Sequence, residues 1–309
     1  LFVGLGNGFV ESASYAMVSS MYTTNKTRKI NAWHIWFPAG IVIGGVLAYL
    51  LTLLDFGWKI QMAVMLPPTI VYGIMFLKQQ FPKSERVSMG VSNREMIKEC
   101  LRPLFIFMLF CMFLTAATEL GTNQWIVELL SAVGVPSILL LVFINGIMTM
   151  GRANAGFILQ RLSPAGLLLF SAIFSCIGLY WLGSAEGYVT FAAAGVFAIG
   201  ICFFWPTMIG FVSEKLPKTG PLGLSLMGGA GLLSTALVLP YFGKVYDYQL
   251  TFIAATDKSL SSEQVKLAAG SRTLLFISVI PAVLIAAFGI LKVRSLKKVP
   301  SFKISSLKK

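Results

Sequence analysis

GNGFVESASYAMVS (residues 6–19) lies over GICFFWPTMIGFVS (residues 200–213) without a gap, at a constant offset of 194. Gly6 falls on Gly200, Phe9 on Phe203, Val18 on Val212 and Ser19 on Ser213, while Glu11-Ser12 falls on Trp205-Pro206. Each copy is followed by a basic loop and then a glycine-rich segment, PAGIVIGG (38–45) after the first and LSLMGGAGLL (224–233) after the second. Both copies run in the same direction. Two such segments predict a parallel repeat about an axis along a membrane normal.

The composition supports the membrane. The 309 residues are 56% hydrophobic and 12% charged, with a mean hydropathy of +0.80. A soluble domain carries about 25% charged residues. The apolar stretches are about 20 residues long and do not alternate, so they predict helices and not barrel strands. Nine spans are expected, near 1–22, 30–54, 59–80, 103–125, 135–158, 164–184, 188–213, 221–243 and 272–293. The matched segments are the first and the seventh, so the repeat unit is six spans. The first residue is Leu, already inside an apolar run. Helices are therefore expected to precede it.

A net charge of +13 raises the question of nucleic acid, but its distribution answers it. Of the 25 Lys and Arg residues, 20 fall in one set of alternating loops and in the tail from Lys292 to Lys309. By the positive-inside rule that set is cytoplasmic, and so is the C-terminus. The segment 81–102 is the longest connection on that side. It divides residues 1–80, with three spans, from residues 103–293, with six, and 294–309 form a basic cytoplasmic tail. On the other side, Ser261-Ser262-Glu263 in the long loop 244–271 reads as the start of a short surface helix. The four cysteines lack CxxC spacing and read as buried small hydrophobes.

Two carboxylates stand inside these apolar runs, and each costs about 3 kcal/mol or more unless it faces a partner or a polar cavity. Glu11 is near the middle of the first span, with Asn7 one turn earlier on the same face. A carboxyl in that setting suits proton binding and release. Glu119 is followed by Asn123, Gln124 and Trp125, a carboxylate, two amides and an indole that together suit a sugar. The second span opens INAWHIWFPAG (30–40), which puts Asn31 and His34, the one histidine in the chain, on adjacent positions of one face. Trp205, next to the helix-bending Pro206, is a candidate stacking platform, and Asn145 is a further polar residue within a span. Arg152 and Arg161 in GRANAGFILQR (151–161) read as a short cytoplasmic loop that either anchors to headgroups or gates between helices. The glycine clusters read as close helix packing. There is no HExxH, GxSxG or Walker pattern and no paired histidines, so no enzyme, metal or cofactor is expected.

These residues resemble the fucose permease-like sugar–proton symporters of the major facilitator superfamily. Gly8-Phe9-Val10-Glu11-Ser12-Ala13 resembles the G-x-x-E-[ST]-A motif of that family's fourth helix, whose acid is linked to proton coupling. Ile30-Asn31 with His34 and Gly40 resembles the L-N-x-x-[HQ] start of its fifth helix, part of the sugar site. Glu119-Leu120-Gly121 through Trp125 resembles its seventh helix, and Trp205-Pro206 with Gly228-Gly229, Pro240, Gly243 and Asp247 resembles helices ten and eleven. Residues 151–161 resemble a degenerate G-x-x-x-D-x-x-G-R loop. The chain departs at Ser14, where the family usually has Asn, and at Pro38.

The resemblance implies an all-α membrane protein with nine of the twelve helices of the superfamily bundle. It further implies a monomeric plasma- or inner-membrane transporter of a small polar solute, a monosaccharide moved with a proton, working by alternating access without a cofactor or nucleic acid. Transport or export of another organic solute stays open. So does a membrane sensor or scaffold that transports nothing.

Overall fold

The computed structural model describes residues 2–22, 24–123, 137–185 and 187–296, and every described element is helical. The helices are α1 (Phe2–Met21), α2 (Lys26–Trp33), α3 (Trp36–Leu53), α4 (Trp58–Ala63), α5 (Leu66–Phe76), α6 (Glu85–Ser88), α7 (Asn93–Cys100) and α8 (Pro103–Ala116). The last runs into a π-helical turn, Ala117–Gly121. After the gap come α9 (Ser137–Ala153), α10 (Ala155–Arg161), α11 (Pro164–Leu182), α12 (Val189–Ile201), α13 (Phe204–Lys215), α14 (Gly220–Thr256), α15 (Ser262–Ile277) and α16 (Val279–Leu296).

Proline explains why consecutive helices act as single broken rods. It donates no backbone hydrogen bond to the carbonyl four residues back, and its ring pushes that turn open. The α2/α3 break precedes Pro38, the α4/α5 break precedes Pro67-Pro68, the α12/α13 break precedes Pro206, and the α15/α16 break precedes Pro281. Among the described residues seven rods are long and apolar enough to cross a membrane. An eighth is added if Ile138–Ala153 and Ala155–Arg161, bent by 56°, form one span. The expected nine is not reached by that measure. The shortfall is α1, a 20-residue helix whose apolar character is diluted by Asn7, Glu11, Ser12, Ser14, Ser19 and Ser20.

Two further expectations change. The segment 244–271, expected as an outer loop, is mostly helix, because α14 continues to Thr256 and α15 starts at Ser262. The Ser261 start is real: its side chain accepts from the Gln264 N–H in a capping box. It opens the last rod, however, and not a separate surface helix. At about 1.5 Å per residue, the 37 residues of α14 outrun a hydrocarbon core of about 30 Å. Ile253, Val265 and Ala269 bury against one another and hold the projecting ends of α14 and α15 together. The connection 81–102 likewise contains helix. Ser92 and Glu95 cap α7, and the two Ser92 donors hold the Glu95 carboxyl below its ordinary range. Residues 297–309 of the basic tail lie outside the described residues.

The main core is built from α8, α9 and α11–α16, with α11 packed on α12 and α16. The α11–α12 crossing is close because a Cβ at Gly178 would meet the Phe197 backbone and one at Gly200 the Ser175 backbone. Helices of 1–80 join this core along three lines: α1 on α14, α2 on α13, and α3 on α9. The Ser19 and Ser213 hydroxyls meet at 2.6 Å. These are equivalent residues of the two sequence copies, and a twofold axis passing between the copies produces such a contact. In contrast α4 and α5 bury nothing. Their apolar faces are stable against lipid, which is as apolar as they are.

Candidate functional site

Tyr15 is the hub of the site. It lies one turn after Glu11 on α1, and its ring is 1% exposed. Its hydroxyl donates to Glu11 Oε1, receives the Trp205 Nε1–H, and stands 2.9 Å from His34 Nε2. Its ring stacks on the His34 imidazole at 5.7 Å and meets Trp33 edge-on at 5.6 Å. Glu11, His34 and Trp205 are thus brought together from α1, the α2/α3 break and α13, as expected of a shared site. The residue that joins them is Tyr15, which sequence reasoning missed. Its signal was its position four residues after Glu11 on one helix face.

A phenol has one proton to donate. When Glu11 is ionised the Tyr15 hydroxyl donates to it and accepts from Trp205 and from a protonated His34 Nε2. When Glu11 carries a proton it can donate to Tyr15, whose own proton turns to an unprotonated His34 Nε2. The Tyr15 proton can thus point either to Glu11 or to His34 Nε2, with the imidazole in the complementary tautomer. Tyr15→Phe removes the hub and leaves buried His34 and Trp205 and half-buried Glu11 short of a partner. It is expected to lower transport sharply and to cost about 1–3 kcal/mol of stability. Initial uptake rates and thermal unfolding in detergent check both, and wild-type uptake by Tyr15→Phe would remove the hub from function.

Glu11 and Tyr15 also line an open groove of about 560 Å³ between α1 and α14, with Gly8, Ser12, Ser225 and Gly228 among its walls. Volumes of about 300–1,000 Å³ are usual for small-molecule sites. The glycines here do more than pack helices. A Cβ at Gly231 would run into the Trp205 ring, so that glycine leaves the space the indole occupies.

The second carboxylate is arranged differently. Glu119 sits in the π-helical turn after α8, is 2% exposed, and pairs with Arg152 at 3.0 Å. Arg152 therefore does not lie in a cytoplasmic loop. It is the penultimate residue of α9 and 1% exposed, because its long stem turns back into the bundle toward a buried counter-ion. Its Nε donates to the Cys202 carbonyl at 2.8 Å and its Nη1 to the His34 carbonyl at 3.2 Å. Arg161 is exposed and lies over the Phe157 ring at 4.9 Å, away from this cluster.

The remaining candidates are distributed around these two groups. Asn31 is fully buried one turn before His34, and its Nδ2 donates to the Thr27 carbonyl and to Thr207 Oγ1 on α13. Asn145 is buried on α9 with its Nδ2 on the Leu141 carbonyl. Asn123 is half-buried past the π turn. Among the described residues the oxygens Asn31 Oδ1, Asn123 Oδ1, Asn145 Oδ1 and Glu119 Oε2 have no hydrogen-bond partner. Gln124 and Trp125 lie outside the described residues. No cluster of three or more metal-ligating side chains occurs among the described residues.

At the other end of α1 the chain is tied shut. Lys26, 4% exposed, pairs with Glu85, and the Thr27 N–H donates to Glu214 Oε1 at 2.8 Å. Ser20 Oγ accepts from the Glu85 N–H at 3.1 Å. These bonds join α1 and α2 to residues 81–102 and to α13.

The family model described as Major Facilitator Superfamily matches residues 1–239. Among solved structures, a crystal structure of the E. coli fucose:proton symporter FucP is similar with a TM-score of 0.62. It has 14% sequence identity, over 89% of this chain and 73% of that one. No curated protein matches the chain.

Proposed function

We propose, for a chain that belongs to the Major Facilitator Superfamily and so is a transporter embedded in a membrane rather than an enzyme, that its cargo is a small hydroxylated solute carried with a proton. The observation that carries this reading is the Glu11 carboxyl, which lines the 560 Å³ groove and is bonded to a tyrosine shared by His34 and Trp205. Proton and solute would then meet at one place. The fold neighbour is titled a fucose:proton symporter, which agrees with a monosaccharide.

The unpartnered oxygens support the same class of cargo. The amide nitrogens of Asn31 and Asn145 are held by backbone carbonyls one turn back, so their oxygens are left to accept. Acceptors call for a solute rich in donors, as sugar hydroxyls are. We assign Asn31, His34, Glu119, Asn123, Gln124, Asn145 and Trp205 to solute binding and Glu11 to proton coupling. Arg152, which bonds to both parts of the chain, is assigned to gating with Arg161. Residues 1–80 and 103–293 would rock as parts of two bundles joined by 81–102. The conformation is then open beside Glu11 and closed at Lys26–Glu85. The basic loops, and with them the C-terminus, would face the cytoplasm of a plasma or inner membrane, with the monomer as the working unit.

The test is a panel of monosaccharides, fucose included, offered to proteoliposomes with and without an imposed inward proton gradient. Counterflow of one sugar, accelerated by the gradient, is expected. No counterflow of any sugar by folded protein would overturn the cargo class. Counterflow that ignores the gradient would overturn the coupling.

A further inference from the structure

Pro38 and Pro206 each leave one carbonyl without its helical donor. The carbonyl four residues before Pro38 belongs to His34, which keeps only the Phe37 N–H at 3.4 Å, and the one four residues before Pro206 belongs to Cys202. A single buried guanidinium reaches both. Arg152 Nε donates to Cys202 at 2.8 Å, Nη1 to His34 at 3.2 Å, and Nη2 to Glu119 at 3.0 Å. Three donors of one planar fork thus serve two helix breaks and one counter-ion. An ammonium, a point donor on a flexible stem, does not span that geometry.

The two breaks are the places from which the site is presented. His34 is the residue at the α2/α3 break, and Trp205 stands in the first turn after the α12/α13 break. Their side chains meet at the Tyr15 hydroxyl. We infer that Arg152 is a positioning residue. With Glu119 as its counter-ion it pins the two proline-opened carbonyls, and so sets the spacing between the His34 imidazole and the Trp205 indole across Tyr15. Among the described residues the bond to His34 is also the one Arg152 bond that crosses from the C-terminal helices to residues 1–80. The spacing is therefore a property of this conformation and is released when the two parts separate.

The inference rests on the reading of this cluster as the transport site, but its test reads position and not transport, so the two fail separately. His34 is the one histidine in the chain. Selective ¹⁵N-histidine labelling of protein purified through a histidine-free tag therefore yields one imidazole. Its two nitrogen signals report the Nε2 contact with Tyr15. Arg152→Met alone strands Glu119, so the informative variant is Arg152→Met with Glu119→Met, which removes both charges together. Arg152→Lys keeps the ion pair but not the double carbonyl contact. In both variants the Nε2 signal is expected to move from its wild-type position while circular dichroism shows intact helix. Arg152→Lys is expected to shift it less than the double variant. An unmoved Nε2 signal in either folded variant would overturn the positioning role, because an arginine that only stabilises the bundle leaves the imidazole of the folded protein where it was.

Discussion

Glu11→Gln is expected to abolish uphill accumulation while leaving solute exchange intact. A pH difference of about one unit across a vesicle is equivalent to about 1.4 kcal/mol per proton, or tenfold in concentration for one-to-one coupling. Wild-type vesicles should approach that ratio. Those with Glu11→Gln should stop at equal concentrations inside and out, with counterflow retained. Glutamine keeps an oxygen for the Tyr15 hydroxyl and fills the same volume beside the groove. What it loses is the titrating proton. Accumulation by Glu11→Gln to the wild-type ratio would remove Glu11 from coupling and leave Glu119, the other carboxylate of the cluster, as the candidate.

Arg152→Met should have the largest effect on stability. Removing one partner of a buried ion pair strands the other and costs about 3–5 kcal/mol, whereas replacing both with apolar residues is often close to neutral. Arg152 and Glu119 are 0% and 2% exposed in their side chains. The single variant is expected to lower the thermal unfolding temperature strongly in detergent. The double variant with Glu119→Met should recover most of the loss, though not all, since the Cys202 and His34 carbonyls lose the donors that Arg152 supplies. A double-mutant cycle measures the recovery. Additive losses would mean that the two residues are not energetically a pair.

The two carboxylates came to different ends by different routes. For Glu11 the sequence was sufficient to mark the residue, because an acid in an apolar run has few explanations. It did not show the neighbours. Trp205 was singled out as an aromatic opposite Glu11 in the repeat, yet its contact is through Tyr15, a residue that looks ordinary in a helix. For Glu119 the sequence suggested the amides that follow it. The actual partner, Arg152, stands 33 residues away near the end of another helix, at a position that charge counting assigns to a loop. Positive-inside reasoning assigns every cation near a span end to water. It has no means to tell a cation that leaves the membrane from one whose stem turns inward to a buried acid. The prolines held the missing clue: Pro38 and Pro206 announce two carbonyls in need of donors, although nothing local says which donor arrives.

By itself the sequence determined the all-helical membrane class, the repeat between residues 6–19 and 200–213, the bend at Pro206 and the presence of two acids within apolar runs. Each is local, set by hydropathy over about 20 residues, by a missing N–H, or by one charge among apolar neighbours. The tertiary structure alone decided which buried groups satisfy one another: Tyr15 with Glu11, His34 and Trp205, and Arg152 with Glu119 and the two opened carbonyls. In a low-dielectric interior an unpaired polar group is costly. The choice of partner depends on which helices pack face to face, and that is a property of the whole bundle and not of any one span.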